Sequence, residues 1–259
     1  MSERPFDAVR RVLHDIYQEP TEQTPPTPRI RLDLLRQART GIPEIIYARS
    51  KPTSDVIGAL RELARTTGRA IAARCPADSL TVIQSNLNPE FEVTVEHEAS
   101  AVVVARHDYP RPNTGSRIAV ITGGSSDAAI AAETAFIARE MGAEVYEVRD
   151  VGVAGLHRLV QPLEHVVALG VDAMVVVAGM DGALPSVVSG LVAVPVIGVP
   201  ASTGYGFGGD GTAALMAMLQ SCAPGLVVVN IDNGVGAGST AALIANRAAA
   251  ARAASRQVP

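Results

Sequence analysis

The apolar residues of residues 116–259 follow a regular alternation along the chain. Five short runs rich in β-branched residues are separated by stretches with helical spacing. The runs predict strands at Arg117–Thr122, Glu144–Val148, Ala173–Val177, Pro195–Val199 and Leu226–Ile231. Strands that are apolar throughout are typical of a parallel sheet with helices on both faces. The pattern therefore predicts a three-layer, doubly wound α/β domain with a flavodoxin-like parallel sheet.

Two of the segments between these strands have apolar side chains at intervals of three and four residues. This spacing places them on one face of a helix, which we expect to pack against the sheet. The two sets are Ile130, Thr134, Ile137, Met141 and Leu156, Val160, Leu163, Val167.

Residues 30–106 predict a smaller α/β domain. Its candidate helices lie at about 30–39 and 53–66, and its candidate strands at 44–48, 69–73, 91–96 and 101–106. Residues 1–29 are interpreted as a flexible N-terminal segment with an amphipathic helix near Phe6–Tyr17. The stretch 107–115, rich in proline and turn residues, predicts a linker to the larger domain at 116–259.

Composition narrows the class of protein. The chain has 259 residues, 47% of them hydrophobic, and a formal net charge of −4, which argues against nucleic acid or an anionic membrane as a partner. Two cysteines provide no disulfide framework, and no apolar run approaches the roughly 20 residues that span a bilayer. We expect a soluble, cytoplasmic protein.

Glycine and polar residues follow every predicted strand of the larger domain. In a doubly wound sheet the carboxyl ends of the strands meet at one edge, where ligands bind. The sequence therefore predicts a small-molecule site there. The five segments are Gly123–Asp127, Arg149–Gly152, Ala178–Ser186, Pro200–Gly211 and Asn230–Ser239.

Two of these segments have more than one interpretation. Gly123–Asp127 can bind an anion at a helix N-terminus, or Ser126 can cap the helix while Asp127 offsets its dipole. Gly204–Gly211 contains G-x-G-x-x-G but follows the fourth strand, so a loop that closes over substrate is favoured over a dinucleotide fingerprint. A plain flexible loop is the alternative.

Several single residues also have more than one interpretation. Asp181, at a strand end, can bind a metal ion, accept a hydrogen bond from a ribose hydroxyl, accept a proton or cap a helix. Asp150 can simply form an ion pair with Arg149. His157 follows the second strand closely enough to reach the site, whereas His165 is expected to face solvent. Cys222 ends an apolar helix, whose dipole disfavours a thiolate, so a nucleophilic role needs a cation from elsewhere. The residues alone favour a packed, structural cysteine.

The same segments resemble a known family. RQARTGIPEIIYARSK (36–51), VITGGSSDAAIAAE (120–133), RDVGVAGLHR (149–158), VVVAGMDGALPSVVSGLV (175–192) and the stretch 212–246, with NIDNGVGAG, are similar in order and spacing to LarB, of nickel-pincer cofactor biosynthesis. The C-terminal domain of that family is similar to AIR carboxylase (PurE). The resemblance covers about residues 30–259.

The resemblance implies an enzyme that carboxylates C5 of the pyridinium ring of nicotinic acid adenine dinucleotide with CO2. The same enzyme hydrolyses the phosphoanhydride, releasing AMP and pyridinium-3,5-biscarboxylic acid mononucleotide. The family also implies a homo-octamer. Mg²⁺ would suit the hydrolytic step by neutralising charge, and no organic cofactor is expected.

The family further implies roles for particular residues. The cysteine matching Cys222 adds to the ring, Ser126 and Asp127 hold substrate, and Asp181, where the family pattern has glutamate, removes a proton or helps to hold a metal. Arg36 and Glu44 are further candidates for contacts with the dinucleotide or a neighbouring subunit. The candidate substrate-binding residues are Gly123, Gly124, Ser125, Asp150, His157, Gly179, Met180, Ser202, Gly204, Tyr205, Asn230, Asp232, Asn233, Arg39 and Lys51.

Two rival functions remain at this point. An AIR carboxylase or mutase of purine synthesis is disfavoured by the extra N-terminal domain and by Cys222. A non-enzymatic nucleotide-binding α/β module would bind ligand without turnover and without dependence on that cysteine.

Overall fold

The computed structural model describes residues 30–256, and both of its sheets belong to one compact unit that begins at Leu32. The helix predicted near Phe6–Tyr17 and the rest of 1–29 lie outside the described residues. The boundaries proposed for the two domains therefore stay a prediction.

The elements around the smaller sheet are α1 (Arg36–Thr40), β1 (Ile45–Tyr47), α2 (Thr53–Thr67), β2 (Arg69–Ala73), α3 (Ala77–Leu87), β3 (Glu92–Glu96) and β4 (Ala101–Ala105). The sheet is mixed, with the strand order β1-β2-β4-β3. Strands β1 and β2 are parallel, and the other two pairs are antiparallel.

The elements around the larger sheet are β5 (Arg117–Thr122), α4 (Ala128–Glu140), β6 (Glu144–Val148), α5 (His157–Ala168), β7 (Ala173–Ala178), α6 (Leu184–Ser189), β8 (Val196–Pro200), α7 (Thr212–Leu219), β9 (Leu226–Val228) and α8 (Gly234–Ser255). The sheet is entirely parallel, with the order β6-β5-β7-β8-β9. This is the flavodoxin-like order, which confirms the predicted doubly wound fold.

Helices α4 and α8 lie between the two sheets. One core cluster joins Ile71 and Val103 of the smaller sheet to Ile137 of α4 and Ala241 of α8. Every residue of α4 from Ala131 to Ala138 is buried, because the helix packs on a sheet at either side. A second cluster covers the opposite face of the larger sheet with α5, α6 and α7.

Several predicted elements need correction. The helix predicted at 30–39 spans only Arg36–Thr40, and β9 ends at Val228 because the chain then turns into the loop before α8. Helix α3 was not predicted, although Leu80, Ile83 and Leu87 have helical spacing and are buried.

The predicted buried face of α5 is also wrong. The helix buries Leu159, Leu163 and Val166, whereas Val160 and Val167 are about half exposed. Leu163 belongs to both sets, so the spacing alone did not choose between two overlapping apolar faces. A stripe of apolar side chains is consequently left on the surface of α5.

Candidate functional site

A cavity of about 620 Å³ lies at the carboxyl edge of the larger sheet, where the sequence predicted a site. We call it the strand-end cavity. It is lined by the loops after β5, β6, β7 and β8. Nine of the predicted site residues line it: Gly123, Gly124, Ser126, Asp127, Gly179, Met180, Asp181, Gly204 and Tyr205.

Glycine allows the loops of this cavity to approach one another closely. A Cβ atom on Gly152 would lie 2.7 Å from the Gly123 carbonyl oxygen. A Cβ atom on Gly204 would lie 2.7 Å from the Met180 amide nitrogen. Real Cβ contacts are longer, so larger residues at these two positions would force the backbones apart. The spacing of the loops thus depends on these glycines.

Asp127 is the buried carboxylate of the strand-end cavity, with only 3% of its surface exposed. Its Oδ2 accepts a hydrogen bond from the Gly124 amide at 2.9 Å, and its Oδ1 accepts one from the Thr203 hydroxyl at 2.6 Å. The carboxylate thereby ties the loop after β5 to the loop after β8. Ser126 is exposed in the turn before α4 and makes no capping hydrogen bond there.

Asp181 presents a more accessible carboxylate. It is exposed, and its one hydrogen bond within residues 30–256 is a long contact of 3.4 Å from the Ala183 amide. It does not cap α6, whose N-cap position is Ala183. The carboxylate is therefore free to contact a substrate or to accept a proton.

Arg158 lines the strand-end cavity and was missed by sequence reasoning. Its guanidinium donates to the Asp150 carbonyl oxygen at 2.8 Å and to the Asp150 carboxylate at 3.1 Å. The alternative in which Asp150 simply pairs with Arg149 is wrong, because Arg149 pairs with Glu98 and Glu147 instead. The signal in the sequence was that Arg158 directly follows His157, a residue expected to reach the site.

Other predicted residues lie outside this cavity. His157 is exposed at the start of α5, Lys51 donates to the Tyr47 carbonyl oxygen, and Arg39 pairs with Asp33. Arg36 lies 3.8 Å from Glu44. Neither Ser125 nor Asp150 lines the cavity directly. The exposed position of His165 confirms its prediction.

The segment before α8 has a clear structural role. Asn233 accepts a hydrogen bond from the Gly236 amide at 2.8 Å and thereby caps α8, while its own amide donates to Asn230. The Asp232 carboxylate accepts from the Ser202 amide at 2.8 Å and from the Ser202 hydroxyl at 2.6 Å. Ser202 and Asp232 line a neighbouring cavity rather than the strand-end cavity.

Cys222 is exposed, so its interpretation as a packed, structural cysteine is wrong, and it lines neither cavity. It lies in the connection from α7 to β9, four positions before β9 begins. In a parallel sheet this connection is on the amino-end side of the strands, whereas the strand-end cavity is at their carboxyl ends. One copy of the chain therefore does not bring Cys222 to its own cavity.

The described residues include no cluster of three or more His, Cys, Asp or Glu side chains arranged for a metal ion. Mg²⁺ commonly uses one or two carboxylates together with substrate phosphates, so it does not need such a cluster. The accessible Asp181 carboxylate fits that requirement. No helix between residues 30 and 256 has the length and apolar character to cross a membrane.

Comparison with known proteins identifies the class. The AIR carboxylase family model matches residues 117–257, and the LarB/PurE-like N-terminal domain model matches residues 28–107. An uncharacterized protein of Methanocaldococcus jannaschii is 37% identical over 243 residues, which cover 93% of this chain and 91% of that protein. A crystal structure of a PurE2 variant from Treponema denticola has a TM-score of 0.39 and 18% identity, covering 58% of this chain and 100% of that one.

The larger domain is thus of the AIR carboxylase class, and it is joined to a LarB/PurE-like N-terminal domain. With both domain models matched in this order, the chain belongs to the LarB family. The resemblance drawn from the sequence segments is confirmed.

Proposed function

We propose that the protein carboxylates nicotinic acid adenine dinucleotide with CO2 and hydrolyses it to pyridinium-3,5-biscarboxylic acid mononucleotide and AMP. The observation that carries this proposal is the strand-end cavity of a LarB family chain, with Asp127, Ser126 and Asp181 around it. The cavity volume of about 620 Å³ lies in the range of small-molecule sites. A cytoplasmic location belongs to the same proposal.

The carboxylation needs a nucleophile because a pyridinium ring is too electron-poor for its C5 to attack CO2. Addition of the Cys222 thiolate to C4 forms a C–S bond and leaves an enamine, whose C5 carbon is nucleophilic. C5 then forms a C–C bond to CO2, which becomes a carboxylate. Loss of the C5 proton and cleavage of the C–S bond restore the aromatic ring and release the thiolate, so no oxidant or reductant is required.

The other steps of the proposed reaction are assigned to residues of the strand-end cavity. Asp181 accepts the C5 proton, since its carboxylate is accessible and nearly free of internal hydrogen bonds. Asp127 is held at both oxygens and fixes the loops, while the Ser126 hydroxyl contacts the ribose or phosphate. When bound, Mg²⁺ would neutralise charge on the phosphoanhydride, whose own oxygens would supply ligands for the ion.

The chemistry requires Cys222 beside the ring, so we further propose that a second copy of the chain supplies it. The resemblance implies a homo-octamer, and exposed apolar side chains lie at both places that would have to meet. Met180, Tyr205 and Phe207 are exposed on or beside the cavity loops, and Met216 and Leu219 are exposed near Cys222. Such apolar exposure is typical of a surface that packs against another chain.

The proposal is tested by mass spectrometry of products from nicotinic acid adenine dinucleotide, bicarbonate-derived CO2 and Mg²⁺. Wild type is expected to yield AMP and a mononucleotide with one additional carboxyl group. Cys222→Ala should abolish the carboxylated product, and Arg247→Ala, at an exposed position of α8 that lines neither cavity, is the control that should keep it. Absence of turnover by wild type would refute the function, and carboxylation of AIR under the same conditions would favour the purine enzyme. An active Cys222→Ala variant would refute the thiolate mechanism alone.

The contribution of a second copy is tested by mixing subunits. Cys222→Ala and Asp181→Asn are expected to be inactive separately. If each site takes these two residues from different copies, random co-assembly should restore about a quarter of wild-type activity. No recovery in mixed assemblies would place both residues in one chain and contradict the shared site.

A further inference from the structure

The loop after β8, residues 200–211, forms one wall of the strand-end cavity, and we call it the β8 loop. Gly204 and Tyr205 line the cavity from this loop. Its tip makes few contacts, because the Phe207 side chain is fully exposed. In the described part of the chain, the hydrogen bonds of residues 206–210 stay within the loop or reach the first residue of α7. The position of the wall therefore depends on how the first residues of the loop are held.

Two carboxylates from different elements hold neighbouring residues at the start of the β8 loop. Asp232, in the loop before α8, accepts from the Ser202 amide at 2.8 Å and from the Ser202 hydroxyl at 2.6 Å. Asp127, in the turn before α4, accepts from the Thr203 hydroxyl at 2.6 Å. Asp232 does not line the strand-end cavity. Its carboxylate therefore acts on that cavity through the loop, whose next residue, Gly204, belongs to the wall.

The backbone of Asp232 is itself fixed by three hydrogen bonds. Its amide donates to the Pro200 carbonyl oxygen at 2.9 Å. Its carbonyl oxygen accepts from the Arg74 guanidinium at 2.6 Å and from the Gly234 amide at 3.0 Å. Its φ of 57° lies in the left-handed region, which aspartate adopts more readily than most residues other than glycine. These contacts together direct the carboxylate toward Ser202.

The wall formed by the β8 loop lies directly against the loop that carries Asp181. A Cβ atom on Gly204 would lie 2.7 Å from the Met180 amide nitrogen, and the Tyr205 amide lies 3.5 Å from the Met180 sulfur. Met180 has a left-handed φ of 48° and precedes Asp181, the proposed acceptor of the C5 proton. A shift of the β8 loop would therefore disturb the backbone that places this carboxylate. Misplacement by about 1 Å can cost a reaction roughly a hundredfold in rate.

We propose that Asp232 is a positioning residue, whose carboxylate fixes Ser202 and thereby holds the β8 loop at the distance from Met180 that the reaction needs. This role rests on the proposed function and deepens it. Both oxygens of the Asp232 carboxylate are engaged by Ser202, so the residue acts through the loop. The smaller sheet takes part in the same task, because Arg74 follows β2 and binds the Asp232 carbonyl oxygen.

The first test measures amide hydrogen exchange of the native full chain by mass spectrometry, which needs no turnover. Asp232→Gly removes the carboxylate and keeps the left-handed backbone without steric cost. Residues 201–205 should then exchange about tenfold faster than in wild type, because the Ser202 amide loses its charged acceptor. Asp232→Asn should stay near wild type, since its amide oxygen still accepts from Ser202 and asparagine also adopts this conformation. Asp108→Gly, at an exposed position that lines neither cavity, is the matched control.

Turnover of the dinucleotide in the same preparations separates positioning from a merely structural role. Asp232→Gly should lower kcat about tenfold or more, with KM within about threefold of wild type. Asp232→Asn should recover most of kcat. Ser202→Ala, which loses only the hydroxyl, should lie between the two variants, and it carries the same comparison if Asp232→Gly does not fold.

Three results would overturn the role of Asp232. These are wild-type exchange of the β8 loop in Asp232→Gly, faster exchange that extends through β7 and so reports general destabilisation, or a faster loop with unchanged kcat. Wild type without turnover would instead refute the proposed function, and exchange of the loop would still decide whether Asp232 holds it.

Discussion

The ion pair formed by Arg74 and Glu133 joins the two sheets. From its burial we predict how much the free energy of unfolding falls when one partner is removed. The Glu133 side chain is only 7% exposed, whereas the Arg74 side chain is 31% exposed. Glu133 also accepts from the Val235 amide at 3.3 Å, and the Arg74 guanidinium lies 5.7 Å from the Tyr47 ring centroid. Arg74→Ala would leave a buried carboxylate with no cation.

The expected loss of unfolding free energy follows from this difference in exposure between the two side chains. Removing one partner of a buried ion pair costs about 3–5 kcal/mol, and the partial exposure of Arg74 favours the low end, about 3 kcal/mol. Glu133→Gln should cost less, about 1 kcal/mol, because an amide still accepts from Val235 and the arginine reaches solvent. Arg111→Ala is the matched control: its partner Glu92 is 3.0 Å away, both side chains are more than half exposed, and such pairs contribute about 0–1 kcal/mol.

The pH dependence provides a second measurement. Burial raises the pKa of the Glu133 carboxyl above the ordinary 4.5, and the Arg74 guanidinium opposes that rise. Without the arginine the pKa rises further, so the charged carboxylate penalises the folded variant most at neutral pH. The difference from wild type should shrink as the pH falls through the variant's Glu133 pKa, because a protonated carboxyl needs no counter-charge.

Urea unfolding measures these differences. It is followed by far-UV circular dichroism because the chain has no tryptophan to serve as a fluorescent probe. With an m-value of about 3 kcal/mol per M, Arg74→Ala should lower the midpoint by about 1 M at fixed protein concentration. A midpoint within the error of wild type, or a larger loss for Glu133→Gln, would refute the view that the buried carboxylate dominates this contact.

Three further predictions concern the site. Thiol labelling of the native protein at neutral pH should modify Cys222 quickly and Cys75 only after unfolding, because burial raises the pKa of Cys75 to about 11; two fast thiols would contradict this. Gly152→Ala should reduce kcat/KM more than tenfold and lower the free energy of unfolding by about 1–3 kcal/mol, since the new Cβ meets the Gly123 carbonyl. Chelation of Mg²⁺ should slow AMP release, with recovery on adding the ion back; unchanged release in chelator would remove the metal from the proposal.

The fold of the larger domain was largely predictable because its strands are buried on both faces. Continuous apolar runs bounded by glycine and polar turns mark such strands without tertiary information. Helices were less predictable wherever packing had to choose between faces. Helix α4 is buried all around between two sheets, and α5 selects Leu159 and Val166 over Val160 and Val167. Neither choice is visible in the spacing alone.

The site was predictable where it is built from the ends of strands and less so where distant segments meet. Gly123, Asp127 and Asp181 each follow a strand, so sheet topology brings their segments together. The link from Arg74 to Glu133 spans 59 positions, and its function depends on the packing of one sheet against the helices of the other. No local pattern identifies such a pair.

Cys222 illustrates how nearness in sequence can mislead. It stands ten positions before Asp232 in one recognisable segment, which suggests a single site. Between them the chain runs alongside β8, since Val227 pairs with Ile197 and the Asp232 amide donates to the Pro200 carbonyl. The three residues of β9, Leu226–Val228, cover about 10 Å of this path, so the chain reaches the carboxyl edge of the sheet only after it has left Cys222. We therefore propose a second copy of the chain as the source of this thiol in the strand-end cavity, and the mixed-subunit experiment decides whether the cavity is completed in that way.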